Sequence, residues 1–161
     1  MKPAIRVVFV CLGNICRSPL AEGICLEHLD RMGLRAEFEV DSAGTSRWHA
    51  GEPPDPGSIE VARRHGIDIS HQRARALEQE DVDQFDFLVA MDRSNAGKIE
   101  QFGTLELQRL LLVRSFDPGS DTFDVPDPYG GGTDGFQEVW DILDRAMPHL
   151  ITHMLHHGRR L

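Results

Sequence analysis

A chain of 161 residues with 40% hydrophobic and 27% charged side chains is long enough to bury its own core without disulfides or metals, and residues 1–161 read as a single domain. Its formal net charge of -9 argues against broad binding to nucleic acid or to an anionic membrane surface, so any anion it binds must be held locally. No apolar run approaches the length of a membrane span, and the short one between Lys2 and Leu12 is too brief for a signal sequence. A cytoplasmic protein with no membrane insertion is expected.

Taken in chain order, Ile5-Arg6-Val7-Val8-Phe9-Val10 is dense in β-branched and apolar residues, as in a parallel strand buried on both faces. Cys11 sits where that strand ends. After the Gly13-Asn14 turn signal, Leu20, Ala21, Ile24, Cys25, Leu29 and Met32 recur at helical spacing up to a stop at Gly33. Glu37 to Asp41 predicts a second strand, and Ser42 to Gly57, with three prolines and three glycines, a surface loop. Ser58 to His65, closed by Gly66, predicts a second helix. Phe87 to Met91 predicts a third buried strand, followed by the N-cap types Asp92 and Ser94 and a short helix toward Phe102 and Gly103.

Leu110 to Val113 predicts strand four, and Ser115 to Gly132 a long loop holding Asp127-Pro128-Tyr129. A last helix starts near Asp134, with Gln137 where a capping box wants it and Phe136, Val139, Trp140, Leu143, Met147, Leu150, Ile151 and Met154 at helical spacing. Pro148 lies inside it and predicts a kink or break. Strands alternating with helices imply an α/β domain with a mainly parallel sheet and right-handed crossovers.

In open α/β sheets ligands bind beyond the carboxyl ends of the strands. The residues there read Cys11-Leu12-Gly13-Asn14-Ile15-Cys16-Arg17-Ser18. A cysteine separated from an arginine by five intervening residues allows the backbone between them to curl with its N–H groups inward, an anion nest leading into a helix N-terminus. Gly13 accepts positive φ without strain and Asn14 tolerates it. Arg17 closes the ring with a guanidinium fork that matches two phosphate oxygens. The same positive surroundings favour a thiolate at Cys11, and Ser18 is placed to hydrogen-bond the sulfur. Nucleotide-binding glycine patterns are absent.

A thiolate nucleophile brings no proton for the leaving oxygen of a phosphate ester, so a separate acid is needed. Asp127, in its glycine-flanked loop, is the candidate; Asp55, Asp117 and Asp124 compete with it on position alone. Cys11, Cys16 and Cys25 are an odd, crowded set that suits a reactive thiol in a reducing compartment better than a disulfide framework. Cys11 and Cys16 are also a possible redox pair. His149, His153, His156 and His157 read as a solvated tail rather than a metal site.

The chain resembles the low-molecular-weight protein tyrosine phosphatases. The matching stretches are Val10 to Pro19, Asp41-Ser42-Ala43-Gly44-Thr45, Arg64-His65-Gly66-Ile67 with Ser70-His71, Met91-Asp92-Arg93-Ser94-Asn95, and Asp127-Pro128-Tyr129. The resemblance implies a three-layer, four-stranded parallel sheet flanked by helices, Rossmann-like, with the phosphate loop after strand one. It implies a cysteinyl-phosphate intermediate, no metal and no cofactor, and a tyrosine-phosphorylated protein or peptide as partner, with a monomer as the expected state. It assigns Cys11 as nucleophile, Asp127 as acid and then base, and Arg17 with the loop residues Leu12, Gly13, Asn14, Ile15, Cys16 and Ser18 as phosphate binders. Asn14, Ser18, Ser42, His71 and Asp92 would support the loop by hydrogen bonds. Trp48 and Tyr129 would wall the pocket.

Where family members often carry a second tyrosine, this chain has Gly130-Gly131-Gly132, so one wall is missing. Arginine phosphatases of the same fold carry threonine where this chain has Ile15, and arsenate reductases of that fold need further cysteines beyond Cys25. A phosphopeptide-binding module without catalysis would have no need of both Cys11 and Asp127.

Overall fold

The computed structural model describes residues 4–106 and 108–158. Four strands, β1 (Ile5–Cys11), β2 (Phe38–Gly44), β3 (Phe87–Ala90) and β4 (Leu110–Leu112), pair in parallel in the order β2-β1-β3-β4. β1 is central, which is why its sequence is apolar on both faces. Ile5, Val7, Phe9 and Cys11 point into a core shared with α1 (Arg17–Arg31), α2 (Pro56–Arg64) and α5 (Thr133–Gly158). Val8 and Val10 point the other way, into a core shared with α3 (Gln79–Gln84) and α4 (Arg93–Glu100). The three-layer α/β expectation is met.

Four expectations about elements change. β2 runs on through Ser42, Ala43 and Gly44, because Ala43 and Gly44 pair with Val10 and Cys11 and Gly44 bridges to Ala76. Strand pairing thus overrides the loop-like composition there. α2 begins two residues early, at Pro56, with Asp55 accepting from the Gly57 N–H at 2.8 Å. α3 was not expected; Glu78 and Asp81 close a capping box that starts it, the Glu78 N–H donating to Asp81 Oδ2 at 2.8 Å.

The fourth change is that α5 passes Pro148 without a break over 26 residues. A mid-helix proline costs about 3 kcal/mol. Met147, Leu150, Ile151 and Met154 are all fully buried around it, and each stabilises by about 1.5–3 kcal/mol, which outweighs that cost. The C-terminal histidines therefore stand on helix rather than in a tail. His153 packs on Phe116 and His157, with ring centroids 5.0 and 4.3 Å apart. Among the described residues no group of three or more metal-ligating side chains is assembled.

Candidate active site

Cys11 ends β1 at the carboxyl edge of the sheet and is buried. The chain then turns through Leu12 to Cys16 into α1. The left-handed residue of this turn is Asn14, at φ 57°; Gly13 does not adopt positive φ. Gly13 owes its place to crowding instead, since a Cβ there would sit 3.0 Å from the His49 ring. Gly44 of β2 is held more tightly still: a Cβ on it would lie 2.9 Å from the Leu12 carbonyl oxygen and 3.1 Å from the Asn14 nitrogen. The neighbouring strand is thus pressed against the back of the loop.

A chain of hydrogen bonds reaches the sulfur from behind. The Asn14 amide nitrogen donates to Ser18 Oγ at 2.8 Å and to Ser42 Oγ at 3.0 Å, and its Oδ1 accepts from the Arg75 N–H at 3.0 Å. Both Asn14 amide hydrogens are then committed, so each serine must send its own proton onward. Ser42 donates to Glu22 Oε1 at 2.7 Å, and Ser18 to Cys11 Sγ at 3.0 Å. The Asn14 N–H adds a second donor to Sγ at 3.3 Å. The sulfur is a hydrogen-bond acceptor on two sides, which suits a thiolate. Burial pushes the Glu22 carboxyl up to about 7, against the pull of the Ser42 hydrogen bond.

Arg17 approaches from the opposite side. One terminal nitrogen is fixed by Asp92 Oδ2 at 2.7 Å and by the Val125 carbonyl at 2.9 Å. Asp92 also caps α4, accepting from the Asn95 N–H at 2.7 Å. One carboxylate therefore ties helix start to guanidinium. Arg17 Nε is buried and has no partner among the described residues. Nor do the N–H groups of Leu12, Gly13, Ile15 and Cys16 meet an acceptor there, and α1 starts behind Cys16, its N-cap residue, with no side-chain cap. Open donors on one short loop beside Arg17 are what an oxyanion would satisfy.

The rival carboxylates are occupied elsewhere. Asp55 caps α2. Asp117 is buried against Arg145 at 3.0 Å. Asp124 pairs with Arg93 at 3.0 Å and also accepts its backbone N–H, which holds its carboxyl below the usual range. Asp127 alone of the four lines the cavity that Cys11 and Arg17 line, its Oδ2 3.8 Å from Arg17 Nη2. Its Oδ1 accepts from the Tyr129 N–H at 3.1 Å, which fixes the turn.

That cavity, about 250 Å³, is lined by Cys11, Leu12, Ile15, Cys16 and Arg17 of the loop together with Trp48, His49 and Tyr129. Trp48 and Tyr129 are 85% and 59% exposed, so their rings stand at the surface rather than in the core, each beside the His49 ring with centroids 6.5 and 5.7 Å away. Gly130 takes φ 77°, and the Gly131 N–H donates to the Pro128 carbonyl at 2.9 Å. A tight turn with positive φ at its third residue asks for glycine, and Gly130 meets that demand where a second tyrosine would be strained. Burial pushes the Cys16 thiol well up, and the negative charges of Asp55, Cys11 and Asp127 add to it; Cys25 is pushed up by burial alone for the most part.

One expected loop support is elsewhere. His71 is exposed and lines a different groove beside Asp68, and among the described residues it makes no hydrogen bond to the loop. A hydrogen bond to the loop comes instead from farther along that segment, the Arg75 N–H donating to Asn14 Oδ1 at 3.0 Å, while Gln72 Nε2 donates to the Pro19 carbonyl in α1 at 3.2 Å. Glu22 was missed although it lies four residues beyond Ser18 on one helix face, a spacing that could have flagged it. His49 was missed because nothing in the sequence separates it from an ordinary loop histidine.

A family model described as low molecular weight phosphotyrosine protein phosphatase matches residues 6–160. The chain belongs to that family. It is 40% identical over 151 residues to the low molecular weight protein-tyrosine-phosphatase YfkJ of Bacillus subtilis, covering 91% of this chain and 94% of that one. The crystal structure of a protein tyrosine phosphatase from Entamoeba histolytica superimposes with TM-score 0.90 at 34% identity, over 96% of this chain and 99% of that one. A Drosophila arginine phosphatase superimposes with TM-score 0.83 at 28% identity, over 95% and 97% of the two chains. In this low molecular weight phosphatase, then, the loop from Cys11 to Ser18, Asp127 and the aromatic walls come together at one end of the sheet.

Proposed function

We propose that this phosphatase hydrolyses phosphotyrosine in proteins and peptides, and aryl phosphates generally, through a phosphocysteine at position 11. The observation that carries the reading is the buried Arg17 Nε, unpartnered among the described residues, on a side chain that shares its cavity with Cys11. A buried cationic donor without an acceptor is costly, and a bound phosphate removes that cost.

In the first step Cys11 Sγ forms a bond to phosphorus as the bond to the tyrosyl oxygen breaks. Asp127 gives its proton to that oxygen. Arg17 and the loop N–H groups follow the equatorial oxygens, whose charge shifts as the bonds exchange. In the second step Asp127 takes a proton from the attacking water, inorganic phosphate leaves, and the Ser18 hydroxyl and Asn14 N–H receive the returning thiolate. The positive potential comes from Arg17 and backbone dipoles, so the chemistry asks for no metal. Trp48, His49 and Tyr129 line the cavity and would flank a phenyl ring, and Ile15 offers an apolar surface where a guanidinium would need an acceptor. The same loop would protect itself: a sulfenic acid formed on Cys11 by a hydroperoxide would condense with the Cys16 thiol, losing water to give a reversible disulfide. The free cysteines and the single set of site residues fit one domain acting alone in a reducing cytoplasm.

The test compares phosphotyrosyl and phosphoarginyl versions of one peptide, with wild type and Cys11→Ser. Phosphotyrosine hydrolysis that vanishes in Cys11→Ser is expected. Preference for the phosphoarginyl peptide, or activity that survives the substitution, would refute the reading.

A further inference from the structure

A second groove, about 400 Å³, opens from the side of the phosphate cavity and shares Ile15, His49 and Tyr129 with it. The His49 and Tyr129 rings, 5.7 Å apart, form the ridge between the two. The far wall is Pro53, Pro54 and Pro56, a stretch with little backbone freedom. It is tied to the phosphate loop directly, since the Asp55 N–H donates to the Ile15 carbonyl at 2.8 Å and Ser58 Oγ to the Cys16 carbonyl at 3.0 Å. The groove therefore keeps a fixed position relative to any phosphate bound on that loop.

Its chemistry is one-signed. Glu52 and Asp55 line it, and among the described residues no lysine or arginine does. Glu52 Oε2 lies 3.0 Å from His49 Nδ1, and Asp55 Oδ1 accepts the Gly57 N–H, so each carboxylate has an oxygen left over. The nearest cation of the phosphate site, Arg17, would be spent on the dianionic phosphate once substrate binds. What remains around the groove is then net negative, with prolines and an aromatic ridge beneath.

We propose that this groove is a substrate subsite for a cationic side chain, arginine or lysine, flanking the phosphotyrosine, its aliphatic stem lying on the prolines and its charge reaching Glu52 and Asp55. This deepens the phosphatase reading and rests on it. Continuity with the phosphate cavity places the occupant on the same peptide, and charge complementarity selects its sign. An acidic residue at that position is repelled, so discrimination works in both directions.

The experiment uses the full chain and a series of phosphotyrosyl peptides in which each of the positions flanking the phosphotyrosine is in turn alanine, arginine or glutamate, with an aryl phosphate as reference. At one position at least, arginine should raise kcat/KM about 3–10-fold over glutamate, the scale of one or two exposed ion pairs, and high salt should shrink the ratio. Glu52→Gln with Asp55→Asn should bring it toward one. Gln keeps the His49 partner, and Asn keeps the cap on α2. An aryl phosphate hydrolysed with no charge preference at any flanking position overturns the groove proposal alone, as does a preference that persists undiminished in the double variant. Failure to hydrolyse the aryl phosphate overturns the phosphatase reading and the groove with it.

Discussion

Replacing Glu22 by Gln tests whether the hydrogen-bond chain behind the nucleophile carries the charge state assigned to it. The Glu22 carboxyl titrates at 4.5 when free and at about 7 in the fold, because burial penalises its ionised form. The folded protein holds this proton more tightly than the unfolded chain does, so the contribution of Glu22 to stability falls as pH rises from 4.5 to about 7 and is constant above that. At about 1.36 kcal/mol per pH unit, the gap amounts to ~3 kcal/mol of strain in the ionised form. Gln removes the charge and keeps an oxygen for the Ser42 hydroxyl. Urea unfolding of wild type and Glu22→Gln at pH 5 and pH 8, in reductant, should show the variant gaining ~1–3 kcal/mol relative to wild type at the higher pH. A stability difference that is the same at both pH values would refute the placement of a buried, ionisable Glu22 behind Ser42.

Three further outcomes are expected. Asn14→Ala should destabilise by ~2–4 kcal/mol in urea unfolding, combining left-handed backbone strain with a half-buried Arg75 N–H left unmet; Asn14→Gly should recover about 1 kcal/mol of this, and equal stability of the two would contradict the φ assignment. Gly44→Ala places a methyl 2.9 Å from the Leu12 carbonyl and should lower kcat/KM for an aryl phosphate through displacement of the loop, whereas wild-type kinetics would show the strand does not press on it. Asp127→Asn should cut kcat by about 10²–10⁴, most for leaving groups of high pKa, and Asp124→Asn should leave kcat within a few-fold; the reverse pattern would move the acid to Asp124.

Much of this was legible in the chain because the signals were local. β1 announces itself by an unbroken apolar run, and the turn, arginine and helix start that follow it lie within eight residues. Asp92 could be read either as an N-cap or as a partner of the loop, and it is both, through its two oxygens. What was not legible depends on pairing across the sheet. Ser42 to Gly44 look like loop and become strand because β1 lies beside them. The support expected from His71 comes instead from the Arg75 main chain, and a backbone N–H carries no residue identity to read. Pro148 broke a local rule that burial on the sheet overrides. His49 joins the pocket wall only through the path of the loop around Gly13.

The central claim is that phosphate passes through Cys11. Mixing an aryl phosphate or phosphotyrosyl peptide with excess Asp127→Ala enzyme, which should slow breakdown of the intermediate, followed by rapid denaturation and peptide mass analysis, tests it directly. One phosphoryl group on the fragment bearing Cys11, formed at the rate of the product burst and absent from a Cys11→Ser control, is the expected result. Product formation with no phosphoryl group on Cys11 at any time would contradict it.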